Sequence, residues 1–400
     1  ARSGIVDVSQ KERRYGEIWV HRLYGESGCR RSDLCEIAFN INKRKSIHMI
    51  PNKRRVAATC HDGRIRLVEQ ELGPVKPGWV MLKVKASLVS PGTELGGWGQ
   101  LAAKRKTPAQ PHEPKPFGYS NAGDVLAVGE GVTRFEVGQR IACIGATYAV
   151  HGDYALVPHN LCFALPDNVS YAQASYAMLA ATALHAVRRM EPQIGEYGAV
   201  VGLGIVGLLA GRLMKLSGME VVGWDSLDLR LELARKWELD AAVNVTKEDP
   251  VAATRAMTRG AGLDAALLAF GGDASKAYAQ VMRSLKVTPD THPMGRIVLV
   301  GGVSYPFVYE SANCDIRLAA RTGAGYHDET WEAGADYPPV FMRWTTRTNV
   351  ELCIRLMSQG KLPVEDLTTH MIALADVEAG IDAILDDPRK ILGVVFTMNL

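Results

Sequence analysis

Ala199-Val-Val-Gly-Leu-Gly-Ile-Val-Gly207, followed by Val221-Val-Gly-Trp-Asp225, decides how this chain is read. A short apolar run enters a G-x-G-x-x-G turn, an apolar helix leaves it, and an acidic residue closes the next apolar run about twenty residues on. Each part has a mechanical task in a dinucleotide site. Gly202 permits the tight turn, Gly204 lets backbone approach a pyrophosphate, and Gly207 lets the helix pack against the strand. The helix N-terminus offers free N–H groups and a positive dipole end to phosphates. Gly202, Leu203, Gly204, Ile205 and Val206 are therefore expected to line the pyrophosphate. Asp225 would accept hydrogen bonds from a ribose diol and repel a 2′-phosphate, which favours NAD over NADP. Arg230, five residues further on, is the side chain that would serve a 2′-phosphate instead, or else a solvated helix charge.

Outward from this turn, apolar runs at 198–201, 221–224, 241–245, 263–270, 296–300 and 317–322 alternate with helical patterns such as 227–237 and 274–285. Six strands with intervening helices predict an α/β, doubly wound parallel sheet, the Rossmann arrangement. Gly271-Gly272 and Gly301-Gly302 end two of the later strands. Strand carboxyl ends face the ligand crevice in such sheets, so Gly271 and Gly301 join the expected cofactor contacts.

Before the turn, the chain reads as β-rich. Runs at 56–60 and 65–68 flank Asp62-Gly63, a hairpin signal, and 79–86 alternates as a strand does. Runs at 121–128, 139–144 and 154–157 continue the pattern, and helical spacing covers about 171–189. After the Rossmann segment come two helical runs, 349–358 and 375–385, and a strand at 393–397. This tail has no sheet of its own to complete, so it is expected to return to the β-rich domain and make that domain discontinuous. The expected division is 1–48 as an extension or an early start, 49–190 as the first part of the β-rich domain, 191–330 as the dinucleotide domain, and 331–400 as the return.

Composition sets the outer limits. Four hundred residues with 47% hydrophobic side chains suffice for two domains. No apolar run reaches membrane-spanning length, so no membrane partner is expected. The net charge of +3 is uneven: residues 1–55 carry thirteen Lys and Arg against six Asp and Glu, leaving the remainder at −4. That balance speaks against a nucleic-acid partner for the body of the chain. Seven cysteines without a C-x-x-C pair predict neither a disulfide framework nor a structural zinc lobe, and suit a reducing, cytoplasmic setting.

Ser90-Pro-Gly-Thr-Glu94, Phe117-Gly-Tyr-Ser-Asn-Ala-Gly-Asp124, Val137-Gly-Gln-Arg-Ile141 and Leu165-Pro-Asp167, together with Gly202–Gly207, resemble the medium-chain dehydrogenase/reductase superfamily over residues 55–400. The resemblance implies a GroES-like catalytic domain beside the Rossmann domain, an active site in the cleft between them, and a homodimer or homotetramer. It further implies an NAD(P)-dependent oxidoreductase of the alcohol dehydrogenase-like kind, exchanging hydride with a small alcohol or carbonyl substrate. The family's zinc-type members place a Cys where Ser90 or Pro91 stands, a His where Tyr119 stands, and a third ligand near Met178. Ser, Pro, Tyr and Met form a poor zinc set, so no metal ligand is assigned. With Gly323-Ala-Gly-Tyr-His327, these departures resemble a zinc-degenerate branch related to bacteriochlorophyllide dehydrogenase-like proteins.

Without zinc, a developing alkoxide still needs a hydrogen-bond donor, and a proton must still be moved. Tyr119 is the first candidate for the donor, with pocket filling as its plain alternative. Ser90 and Thr93 are candidates for a proton relay, and Ser90 could instead simply shape the turn. Glu94 reads either as part of this site or as the partner of a structural cation. His151 either reaches the cleft or is a satisfied structural residue, and Tyr326, His327 and Asp328 could cover substrate or cofactor. Two other readings remain: a quinone- or enone-reductase-like enzyme using NADPH, and a dinucleotide-binding redox sensor without turnover. The substrate is not legible in the sequence.

Overall fold

The computed structural model describes residues 50–305 and 313–398; the extension expected over 1–48 lies outside the described residues. Strands β1 (Lys53–Thr59) and β2 (Ile65–Glu71) form the expected hairpin, paired from Lys53–Glu71 to Thr59–Ile65. Gly63 in its turn has φ +73°, and a Cβ there would lie 2.9 Å from the Arg105 nitrogen. Close approach of a second chain segment therefore demands glycine in addition to the turn geometry.

The first large sheet is built on β3 (Trp79–Val89), β4 (Ser120–Val128), β5 (Arg140–Ile144), β6 (Tyr154–Pro158) and β7 (Cys162–Ala164). In the middle of β3, half-buried Lys83 and Lys85 alternate with buried Leu82, Val84 and Ala86, the period of two that its sequence shows, while Ala86–Val89 is buried throughout. The last described strands join this same sheet. Counting the parallel strands of the dinucleotide half as β8–β13, β14 is Thr368–Ala373 and β15 is Gly393–Thr397. Their sheet order is β14-β15-β3-β4-β5-β7, with β6 also on β3, and β15 runs antiparallel to β3 from Val394–Val89 to Thr397–Ala86.

The second sheet contains β8 (Tyr197–Val201), β9 (Glu220–Asp225), β10 (Ala241–Asn244), β11 (Ala265–Ala269), β12 (Pro293–Val300) and β13 (Cys314–Ala319). These six strands are parallel in the order β10-β9-β8-β11-β12-β13. Strand order reverses between β8 and β11, and ligand crevices open at such switch points, beyond the strands' carboxyl ends.

The helices used below are α1 (Trp98–Lys106), α2 (Ala177–Met190), α3 (Ile205–Leu216), α4 (Asp228–Lys236), α5 (Pro250–Met257) and α6 (Ser275–Ser284), then α7 (Thr346–Ser358) and α8 (Val377–Ile384). Helix α2 touches both halves, packing on α3, α7, β12 and β13 and also on β5. Its Ala177, Ala180, Ala181, Ala183 and Ala186 are all fully buried, and small side chains allow such close approach on several sides. Among the described residues, no helix is long and apolar enough to cross a membrane.

The structure corrects three boundaries. The helix expected over 171–189 is divided into Tyr171–Ala174 and α2. Between them the Ser175 carbonyl accepts a bond from Ser120 Oγ at 2.6 Å, and the Ser175 hydroxyl turns back to Ala172 O. Strand β13 ends at Ala319 rather than 322, because Arg321 takes a left-handed φ of +62° and Thr322 turns inward to meet Thr346. Helix α7 starts at Thr346, three residues earlier than the apolar spacing suggests, because Thr345 and Thr348 form a reciprocal cap.

Candidate active site

The segment after β3 folds into one wide helical turn, Pro91–Leu95, closed by Gly96 at φ +72°. This turn brings Glu94 back over its own start, where Glu94 Oε2 accepts the Ser90 backbone N–H at 2.7 Å. Oε2 also faces His151 Nε2 at 3.2 Å, while His151 Nδ1 faces Ser87 Oγ at 2.9 Å. One neutral imidazole satisfies both contacts: Nε2–H donates to the carboxylate and the Ser87 hydroxyl donates to Nδ1. The His151 ring is fully buried and lies edge-on to Phe117 and Phe396, at 4.7 and 5.3 Å between centroids. Glu94 Oε1 is buried too, and no donor among the described residues reaches it.

Tyr119 enters from the start of β4. Gly118 before it has φ +125°, and a Cβ there would lie 2.7 Å from Val150 Cα. The backbone crossing that delivers both Tyr119 and His151 thus depends on glycine. The side chains of Ser90 and Thr93 stand beside the Tyr119 hydroxyl and ease its ionisation slightly. Burial, with the Glu94 carboxylate adding to it, pushes the phenol well above the ordinary tyrosine range. Tyr119 is therefore a protonated donor at any physiological pH. Thr93 is exposed, Ser90 is buried, and Tyr326 lies close enough for its charge state to be felt at Tyr119. Tyr326 accepts the Ala146 N–H at 2.8 Å and packs on His327 at 4.0 Å between ring centroids. The structure thus brings Ser90, Thr93, Glu94, Tyr119 and His151 into one cluster, with Tyr326 beside it. Ser87 was missed: it lies past the end of the strand expected over 79–86 and beyond the register shift at Lys85, so spacing gave no signal for it.

The dinucleotide turn divides its glycines by cause. At Gly202, φ is +89° and a Cβ would meet Ala269 O at 3.1 Å. At Gly207 a Cβ would lie 3.0 Å from the Gly202 carbonyl carbon and closer still to its oxygen. The fold itself demands both. Gly204 has φ −66°, and a Cβ there would meet nothing within 4 Å. No packing reason accounts for glycine at 204, whereas backbone approach to a phosphate does. Helix α3 begins at this point with no side-chain cap and no acidic residue in its first turn. Its first N–H groups, from Ile205, Val206 and Gly207, remain available for an anion. Gly301 has φ +94°, and Gly271 has only Gly302 O within 4 Å of its Cβ position, at 3.8 Å. These residues fit a dinucleotide.

Asp225 has a task beyond the one its position suggests. Its Oδ2 accepts the Leu203 N–H at 2.7 Å, from within the glycine turn, and Oδ1 accepts Ser226 and Leu227 N–H at 2.8 and 2.9 Å. Arg230 donates to Oδ2 at 3.2 Å. Four donors fill a carboxylate, so Asp225 holds the turn in shape, and a ribose would enter by displacing Arg230, the one side-chain donor among the four.

The N-terminal half, residues 76–188, matches the family model described as an alcohol dehydrogenase GroES-like domain, and residues 206–334 match the one described as a zinc-binding dehydrogenase. The chain is 27% identical over 368 residues to the (R,R)-butanediol dehydrogenase of Bacillus subtilis, covering 84% of this chain and 97% of that one. It is 28% identical over 336 residues to the L-threonine 3-dehydrogenase of Pyrococcus horikoshii, covering 76% and 87%. Two solved structures share the fold. A protein described as a short chain alcohol dehydrogenase of Escherichia coli CFT073, in complex with NADH, superposes with a TM-score of 0.66 at 20% identity, over 87% of this chain and 100% of that one. A zinc-binding dehydrogenase of Sinorhizobium meliloti 1021 bound to NADP also superposes with a TM-score of 0.66, at 15% identity and the same coverage.

The zinc named in the second family description meets unsuitable donors here. Ser90 offers only a hydroxyl and Pro91 no ligating atom, Met178 a buried thioether, and Tyr119 a phenol held in its neutral form. Among the described residues, no three His, Cys, Asp or Glu side chains stand together as a metal-binding group. Thiolate, imidazole and carboxylate are what zinc requires, and the residues present do not fit it.

Proposed function

Because this chain belongs to the medium-chain dehydrogenase/reductase superfamily and is an alcohol dehydrogenase-like oxidoreductase, we propose that it exchanges hydride between NAD(H) and a small alcohol or carbonyl substrate without catalytic zinc. The single observation that carries this reading is the Tyr119 hydroxyl, kept protonated by burial and standing beside Ser90 and Thr93 at the place where the family's zinc-type members polarise substrate. When bound, the dinucleotide supplies the hydride acceptor or donor. The chain's own part is to orient and to polarise. The α3 N-terminus and Gly204 receive the pyrophosphate, and Asp225 the adenosine ribose. Tyr119 donates a hydrogen bond to the substrate oxygen as negative charge develops there. The neighbours solved with NADH and NADP support a nicotinamide cofactor, and Asp225 supports NAD as the preferred one.

The test pairs a metal assay with one substitution. Purified enzyme should contain far less than one zinc per chain and should keep its turnover of butane-2,3-diol, the probe substrate, after chelation. Tyr119→Phe should lower kcat by roughly 10²-fold or more, the usual scale of a lost acid–base or oxyanion donor, with unchanged NAD affinity. Stoichiometric zinc whose removal abolishes turnover would overturn the proposal.

A further inference from the structure

Tyr119 serves the reacting oxygen, and a second phenol stands beside it with its hydrogen unused. We propose that Tyr326 is a specificity-determining residue: its O–H donates to a second, uncharged oxygen on the carbon next to the reacting one, so the site selects vicinal diols and hydroxy ketones over simple alcohols. This inference rests on the role given to Tyr119 above, because Tyr119 marks where the reacting oxygen sits.

The Tyr326 hydroxyl is half used. Its oxygen accepts the Ala146 N–H at 2.8 Å, and among the described residues nothing accepts its hydrogen. Tyr326 is only 8% exposed, and a buried donor without an acceptor is costly. The Ala146 bond accounts for an acceptor at this point but not for a donor. Burial raises the Tyr326 phenol, so its proton is in place at neutral pH. Position joins it to Tyr119. Ala146 follows Gly145, whose own N–H donates to the Tyr119 carbonyl at 2.9 Å. Two successive residues after β5 therefore fasten both tyrosines, one from the start of β4 and one from the segment after β13. The charge state of each phenol is felt at such short range, which fits oxygens on neighbouring carbons.

The backbone around Tyr326 is held in costly shapes. Among the described residues, seven other than glycine take a left-handed φ. Glu191, Glu238 and Arg259 end α2, α4 and α5, and Thr291 closes a hairpin turn onto Thr288 O. The remaining three gather here: Thr147 at +68° beside Ala146, and Arg321 at +62° and His327 at +68° on either side of Tyr326 in the chain. Such strain persists only where the surroundings fix it, and it collects at ligand sites. The fixing bonds run from Thr346 N–H to Ala324 O at 2.7 Å, from Asn349 Nδ2 to Thr322 O at 2.7 Å, and from His327 N–H to Glu332 Oε1 at 2.8 Å. The His327 ring then packs on Tyr326 at 4.0 Å between centroids. Glu332 and Arg321 act on Tyr326 with opposite sign, Glu332 the more strongly. A substrate carboxylate would meet the charge of Glu332, so the surroundings favour a neutral hydroxyl or keto oxygen.

The experiment uses the full-length enzyme with NAD and two probes, butane-2,3-diol and butan-2-ol, which differ only in the adjacent hydroxyl. A site built to bind a hydroxyl rejects the analogue that lacks it, because its own donor is then left unpaired. The parent should favour the diol by about tenfold or more in kcat/KM. Tyr326→Phe should lower kcat/KM for the diol by about tenfold or more, mainly through KM, and leave butan-2-ol within about twofold. A second readout needs no turnover. The enzyme–NADH complex cannot oxidise either alcohol, and binding is followed by NADH fluorescence. The diol should bind about fivefold or more tighter than butan-2-ol in the parent, and the two should bind equally in Tyr326→Phe. A parent that treats both probes alike overturns the proposal. So does a variant that keeps the diol preference, or one that loses both probes equally, the mark of a purely structural tyrosine. Full activity in Tyr119→Phe removes the reading on which this inference rests. An inactive Tyr119→Phe beside an unchanged diol preference in Tyr326→Phe removes this inference alone.

Discussion

Alanine at Gly204 and alanine at Gly207 should have opposite consequences, although only two residues separate them. At 207 the new Cβ would sit 3.0 Å from the Gly202 carbonyl carbon and 3.4 Å from Val200 Cγ1, with the carbonyl oxygen nearer than either. The obstacle is mostly backbone, so a rotamer change cannot relieve it, and α3 must withdraw from β8. That helix carries buried Leu208, Leu209, Leu213 and Met214, whose packing moves with it. Overpacking of this kind costs about 1–3 kcal/mol. In a chain of this size, Gly207→Ala should lower Tm by roughly 1–2 °C per kcal/mol. At 204 the added methyl meets nothing, and φ −66° with ψ −173° is ordinary extended backbone for alanine. Stability should hold, or rise by up to about 1 kcal/mol through the less flexible unfolded chain. The methyl nevertheless fills the space through which the pyrophosphate must approach. NAD affinity should fall tenfold or more, at about 1.4 kcal/mol per decade. Differential scanning fluorimetry and calorimetric NAD titration of the two variants settle the matter. A Gly204→Ala protein that binds NAD as tightly as the parent refutes the assignment of this turn to a pyrophosphate.

Arg230→Ala frees one lone pair of Asp225, so NAD affinity should stay or rise while NADP affinity falls; equal losses for both would show that Arg230 acts only by supporting the turn. Burial pushes the thiol of Cys353 up to about 12 and that of Cys143 well above its ordinary value, with Cys162 adding to the latter. Among the described cysteines, iodoacetamide mapping should therefore label half-buried Cys314 first and reach Cys143, Cys162 and Cys353 only on unfolding. Burial also raises the phenols of Tyr119 and Tyr176. A raised folded-state value means that their stabilisation is complete below the unfolded phenol's pKa of about 10 and is lost as pH climbs past it. Alkaline unfolding should accordingly begin above that point and move to higher pH in Tyr176→Phe, monitored by circular dichroism.

The sheets were legible because both periodicities are strong. Strand β15 was expected over 393–397 and lies there, paired with β3, since a lone apolar run with no local partner must find one elsewhere. Helix α1 was not legible: it ends in Lys104-Arg105-Lys106, and only Trp98 and Leu101 are buried, too few to mark a face. Helix α5 was missed despite a readable signal, Asp249 capping Val251 N–H ahead of Pro250 at the first helical position. At the site, the residue types in Ser90–Glu94 and at Tyr119 pointed to one cluster, but contacts across the sheet did not follow from spacing. Ser87 meets His151 across sixty-four residues, and Leu203 meets Asp225 through the turn's own backbone.

A site without zinc and the make-up of the Glu94 cluster are consistent with each other. A buried carboxylate is tolerated beside a dication, which offsets its charge at short range. With Ser90 or Pro91, Tyr119 and Met178 at the places of the family's ligands, the proposed reading has no such dication, and Glu94 is held by hydrogen bonds. The Ser90 N–H and the His151 Nε2–H satisfy one oxygen, and two bonds to a charged acceptor are each stronger than a neutral pair. They do not reach the other oxygen. A net negative charge is thereby left next to Tyr119, which raises its phenol further and makes ionisation to phenolate still less favourable. An electropositive metal site would do the reverse, drawing a bound alcohol toward alkoxide before hydride leaves. Under the zinc-independent reading proposed above, the alcohol stays neutral until its carbon begins to lose hydride, so proton and hydride leave together. On that argument, oxidation of a substrate deuterated at the reacting carbon, run in D₂O, should show the two isotope effects on one step.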